Sequence, residues 1–171
     1  MKFLLRTILV SLIALGLLGS GAALAADKLT PQMVVDQVNK AVKLIEEKGD
    51  AAYAELTDPN NATWVNKDNG LYVFVYDFNG NIVAHLNPKL VGKNLMKVHD
   101  VKGTVFAADF VRIAKSPQGE GWTDYWWPKP EEKTASAKTS FVKRVPGKDL
   151  LVGAGTYDFT LEDAKKATGI E

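Results

Sequence analysis

Cysteine is absent from all 171 residues, and histidine occurs only twice, at His85 and His99. The first absence removes disulfides and thiolate nucleophiles, so the folded chain must rest on its core alone. Two histidines fourteen positions apart, with no cysteine beside them, do not make a transition-metal ligand set. Net charge is nearly absent as well: 21 basic residues stand against 20 acidic ones. That balance leaves no electrostatic footprint for nucleic acid or for an acidic membrane. No nucleophile elbow, paired-carboxylate motif or metal-ligand cluster appears, so neither catalysis nor a cofactor is expected. Internal repeats, low-complexity tracts and linkers are missing too, which leaves one domain.

The one long apolar run lies at the start. Lys2 and Arg6 form a basic region, residues 8–18 are apolar apart from Ser11 and Gly16, and Ala23-Leu24-Ala25 gives a small-x-small cleavage pattern. The reading is a secretory signal peptide over residues 1–25, cleaved after Ala25, with an uncleaved membrane anchor as the alternative. Either way the folded part is exported, and a periplasmic location is expected. Residues 26–171 then form a single domain of about 146 residues, with 19 basic and 20 acidic side chains once Lys2 and Arg6 are gone. With 46% of the whole chain hydrophobic, a domain of this length can bury a sufficient core.

Thr30-Pro31 opens a helix, because threonine caps and proline at the first helical position loses no needed hydrogen bond. Val34, Val38, Ala41, Val42 and Ile45 recur at helical spacing and make one apolar stripe. Gly49-Asp50 breaks the helix, which resumes over residues 51–56 before Asp58-Pro59. The stripe packs on its own domain or partly on a second copy, so a homodimer through this helix is carried as an expectation.

Residues 71–77 and 81–85 are two strands around Asn79-Gly80, a dipeptide suited to a tight hairpin. Alternation places Tyr72, Phe74 and Tyr76 on one face and Val73 and Val75 on the other. A polar loop over residues 87–103 leads to a short helix at 105–114. Three strands follow, at 122–127, 138–145 and 150–157, and a last helix at 160–168. This α-β-β-α-β-β-β-α order predicts an α+β fold: a five-stranded antiparallel PAS-like sheet, preceded by a long N-terminal helix, with helices on one face and loops on the other.

Aromatic rings, one histidine and one lysine recur at alternating positions on these strands, which suits a small pocket for an anionic organic molecule. Five strings carry a resemblance: YVFVYDFNG followed by AH, then NPKLVGKN, GWTDYWWPKP, KTSFVKR and VGAGTY. In that order and spacing the chain resembles a single Cache domain of the second subtype, over residues 30–157. These are extracytoplasmic PAS-like sensor modules of chemoreceptors and histidine kinases, also found as free periplasmic proteins. The resemblance implies a binding or sensor protein for a small organic acid of the acetate, propionate, pyruvate or lactate class, feeding signal transduction or chemotaxis. With about fourteen residues after Tyr157 and no apolar span among them, a stand-alone member is expected, signalling through a membrane receptor or kinase. The alternative is an accessory protein that kept the fold without the pocket and docks on a membrane partner. Leu86 stands where the family usually has proline, Phe141 where tyrosine is common, and Leu151 where tryptophan is frequent.

A buried carboxylate needs donors. The resemblance points to Lys138 as its charge partner, against the plain reading of a solvated lysine. His85 offers a ring N–H, against a histidine satisfied by backbone at a strand end. Tyr72, Tyr76, Tyr125 and Trp127 would wall the pocket, combining apolar area with polar tips, although such rings are often ordinary core. Lys93 in Gly92-Lys93-Asn94 is a candidate lid residue. His99 reads as surface loop, Asp77 as a hairpin anchor, and Gly153 and Gly155 as close-packing positions.

Overall fold

The computed structural model describes residues 29–171, so the leader segment lies outside the described residues. The Thr30 hydroxyl accepts the Met33 N–H at 3.3 Å and Pro31 follows it, starting helix α1 (Pro31–Lys48). The stripe Val34, Val38, Ala41, Val42 and Ile45 is buried, and Gly49, at φ 59°, ends the helix. A 3-10 turn (Gly49–Ala51) leads into α2 (Ala52–Thr57). The stripe is covered within this one chain, so a second copy would meet the outer face of α1 instead.

Six strands build one antiparallel sheet: β1 (Val65–Asn66), β2 (Leu71–Asp77), β3 (Ile82–Ala84), β4 (Glu120–Pro128), β5 (Ala135–Arg144) and β6 (Leu150–Thr156). Their order is β1-β2-β6-β5-β4, with β3 also paired to β2. The five expected strands are all present, and the α+β order is borne out. The sixth, β1, has two residues and is too short for alternation to announce it. The β2–β3 turn is fixed by Gly80, at φ 82°, and by the Asp77 carboxylate. That carboxylate accepts the Asn79 and Asn81 backbone N–H groups at 2.9 and 2.8 Å, and the Asn81 side-chain amide at 2.7 Å.

Residues opposite one another in an antiparallel register share a face. Tyr72 pairs with Gly155, Gly155 with Ser140, and Lys138 with Tyr125. Tyr72, Phe74, Tyr76, Tyr125, Trp127, Lys138 and Ser140 therefore lie on one face. Val73, Ala154, Phe141 and Trp122 line the other, packed by α1 and by helix α4 (Leu161–Thr168), whose Thr168 hydroxyl accepts the Trp122 indole N–H at 3.0 Å.

The structure departs from the expected layering at helix α3 (Phe106–Ala114), which shares the Tyr72 face with the long loop. Its apolar side is aromatic and matches the ring row beneath: Phe110 stacks on Phe74 at 5.2 Å and Phe106 on Tyr125 at 5.0 Å. Trp126 points to the opposite face, half-buried under the Lys102 ammonium, while its backbone N–H donates to the Asp100 carboxylate at 2.8 Å. Among the described residues, no helix is long and apolar enough to cross a membrane.

Candidate functional site

Lys138 is fully buried, and its ammonium is the only buried side-chain polar atom without a hydrogen-bond partner among the described residues. Strand alternation turns it inward, and Gly155 on β6 makes the space. A Cβ on Gly155 would lie 2.9 Å from Lys138 Cε and 2.6 Å from the Thr139 carbonyl, and would collide with Ser140 Oγ. The ammonium rests on rings instead: 3.9 Å from the Tyr72 centroid and 5.6 Å from those of Phe74 and Tyr157. Cation–π attraction offsets part of its desolvation. Burial still pulls the Lys138 pKa from 10.5 down to about 7.

Tyr125 stands directly across from Lys138, and its hydroxyl lies 3.2 Å from Ser140 Oγ. Burial raises the pKa values of Tyr72 and Tyr125 well above 10.0, so both phenols stay protonated and able to donate.

His85, just past β3, is buried with its ring edge-on to Tyr72 at 5.2 Å and to Trp127 at 6.2 Å. Its Nδ1 accepts the Asn87 backbone N–H at 2.9 Å. An N–H can only donate, so the neutral ring carries its proton on Nε2. Burial first, and the Lys138 charge second, lower the His85 pKa to about 3. At neutral pH His85 is therefore an uncharged ring with its N–H on Nε2.

A surface cleft of about 390 Å³ opens beside this cluster. Tyr72, His85 and Trp127 line it together with Leu86, Leu90, Pro59, Pro128 and Pro130, and Lys67, Lys129, Glu131 and Glu132 stand at its rim. Tyr72 touches both the cleft and the Lys138 ammonium, whereas Lys138 itself does not line the cleft. The phenol ring is the partition between them.

Five of the seven residues singled out in the sequence, Lys138, Tyr72, Tyr125, His85 and Trp127, thus form one cluster. Tyr76 shares their face but packs edge-on to Phe74 and Phe110, a step away from the cleft. Lys93 is not brought to the cluster: it is exposed, and its carbonyl accepts the Ile82 N–H at 2.9 Å. Its segment runs along the outer edge of the hairpin, so its backbone is spent on pairing rather than on a lid. Sequence reasoning missed Ser140, Tyr157 and the two α3 phenylalanines. Ser140 follows from Lys138 by strand alternation. Tyr157 and the phenylalanines needed the register and the layering.

Comparison with known proteins places this geometry. The family model described as Cache domain (dCache_2) matches residues 32–169. The chain is 30% identical over 91 residues to the methyl-accepting chemotaxis protein McpP of Pseudomonas putida, a match covering 53% of this chain and 16% of McpP. It is 33% identical over 87 residues to the sensor histidine kinase MctS of Rhizobium johnstonii, covering 50% of this chain and 18% of MctS. The chain thus spans less than a fifth of either relative. Among solved structures, the periplasmic sensor domain of a chemotaxis protein superposes with a TM-score of 0.65 at 28% identity, over 74% of this chain and 94% of that one. A Cache chemosensory domain whose structure describes carboxylic acid recognition superposes with a TM-score of 0.63 at 23% identity, over 74% and 91%; at that identity the likeness shows the fold alone. With the family model spanning most of its length and both faces of the sheet, the chain belongs to the Cache-domain family.

Proposed function

We propose that residues 26–171 form one extracytoplasmic sensor domain that binds a small organic acid and passes its occupancy to a membrane receptor or kinase. The observation that carries this reading is the buried, unpartnered Lys138 ammonium, ringed by aromatics. A cation held there without a partner is costly, and a carboxylate is the anion that relieves the cost while accepting further hydrogen bonds. The His85 Nε2–H and the Tyr125 phenol stand close by as donors. Nothing in the cluster pairs a nucleophile with a base, so the arrangement fits capture rather than turnover. An exported location, with residues 1–25 as a cleaved leader, belongs to the same proposal. It is supported by the kinship to a periplasmic sensor domain.

An acid of four to six heavy atoms, at a ceiling of about −1.5 kcal/mol per atom, reaches about −6 to −9 kcal/mol, a micromolar range of Kd. The test is a thermal-shift and calorimetric panel of two- to four-carbon acids against the mature domain and its Lys138→Ala variant. Stabilisation of the wild type, lost in the variant, is expected. No response at millimolar acid in either protein would defeat the proposal.

A further inference from the structure

We infer that the acid taken by this chain is a monocarboxylate with an apolar tail, its head at Lys138 and its tail in the surface cleft behind Tyr72. This rests on the carboxylate reading above and narrows it to a ligand class.

The cleft volume, about 390 Å³, falls within the roughly 300–1,000 Å³ of pockets that enclose drug-sized ligands. Acetate or lactate would leave most of that space to water. Its walls past Tyr72 are apolar, made by Leu86, Leu90, Trp127, Pro128 and Pro130. Leu86 adds a branched apolar side chain to the cleft. A tail here would remove apolar area from water, which favours longer chains.

Charge at the rim argues against a second carboxylate. Lys67 is already paired with Glu131 at 3.2 Å. Glu132 lines the cleft alongside Lys129, whose ammonium lies 5.6 Å from the centre of the Tyr157 ring. The two cations and two anions at the rim cancel. Among the described residues, the buried side-chain cation without a hydrogen-bond partner is Lys138. An acid therefore goes in head first: Tyr72 swings off the Lys138 ammonium, the carboxylate takes its place, and the tail fills the cleft behind it.

The experiment is isothermal titration of the mature domain with unbranched acids from acetate to octanoate, and with adipate beside hexanoate. Affinity is expected to rise roughly four-fold per methylene from propionate to hexanoate, from the transfer energy of a buried methylene. Adipate should bind at least ten-fold more weakly than hexanoate. In Leu86→Ser and Leu90→Ser variants the gain per methylene should shrink. Affinity that peaks at acetate or propionate and falls with length would overturn the tail assignment while leaving the carboxylate reading intact. Adipate equal to hexanoate would overturn it too. Failure of every acid, short or long, would overturn both.

Discussion

The Lys138 ammonium lies 3.9 Å from the centre of the Tyr72 ring and has no hydrogen-bond partner, although it is completely buried. An aromatic face gives a cation some electrostatic return, but less than a carboxylate with matched geometry. The fold therefore carries this lysine at a cost to its own stability, and that cost is what the proposed carboxylate would relieve.

Replacing Lys138 by methionine keeps an unbranched apolar stem of four heavy atoms and removes the terminal ammonium. With a folded pKa near 7 against 10.5, the wild type carries a penalty on the order of 5 kcal/mol below pH 7. The sign follows from proton binding: between about pH 7 and 10.5 the unfolded chain holds more protons, so wild-type stability rises with pH across that window. Lys138→Met should melt higher than wild type at pH 6, with the gap narrowing towards pH 10. Chemical denaturation at the two pH values measures it. A methionine variant less stable than wild type at pH 6 would contradict the burial account.

Acid binding should be proton-linked through the same group. A carboxylate needs the ammonium form, which predominates in the free protein only below about pH 7. Affinity should be flat at pH 5.5–6.5 and fall up to ten-fold per pH unit above 7, until the raised pKa of the complex is reached. Near pH 8 binding should take up close to one proton, read by calorimetry in buffers of different ionisation heat. Binding that is independent of pH between 6 and 9 would remove Lys138 from the ligand.

Much of the fold and of the cluster is legible in the sequence, for identifiable reasons. The capped start of α1, its stripe, the Asn79-Gly80 hairpin and the aromatic alternation of β2 are local signals, and each reappears in the structure. Lys138, Tyr72, Tyr125, His85 and Trp127 sit on strands or at a strand end, where alternation and register bring them together. Lys93 sits on a loop, where neither operates, and it lies elsewhere. The side on which α3 packs was not readable, since the pattern of Phe106 and Phe110 says that they are buried but not beneath which face. Nor was the role of Tyr72 as a partition, which depends on where the rings of β2 and the stem of Lys138 cross.

Gly155 should tolerate no side chain. A Cβ there would lie 2.6 Å from the Thr139 carbonyl and 2.9 Å from Lys138 Cε, and would meet Ser140 Oγ. Backbone on β5 cannot yield without breaking the β5–β6 register. Gly155→Ala should cost about 1–3 kcal/mol by overpacking, seen as a lowered midpoint in urea. It should also weaken acid binding, because Lys138 is displaced. Wild-type stability in this variant would show that the strands have slack at this point.

His85→Phe separates donation from packing. The phenyl ring preserves the edge contacts to Tyr72 and Trp127 and removes the Nε2–H. The Asn87 N–H loses its acceptor, but Asn87 is exposed and water can replace it. Stability should therefore change by less than about 1 kcal/mol. A hydrogen bond to a charged acceptor is worth about 1.5–3 kcal/mol, so acid affinity should fall roughly ten- to a hundred-fold. The break near pH 7 should persist, because it belongs to Lys138, whereas His85, held near 3, stays neutral on both sides of it. Titration of the variant at pH 6 and pH 8 reads both effects. Unchanged affinity would leave His85 a packing residue, and loss of the pH break would transfer the titration from Lys138 to His85.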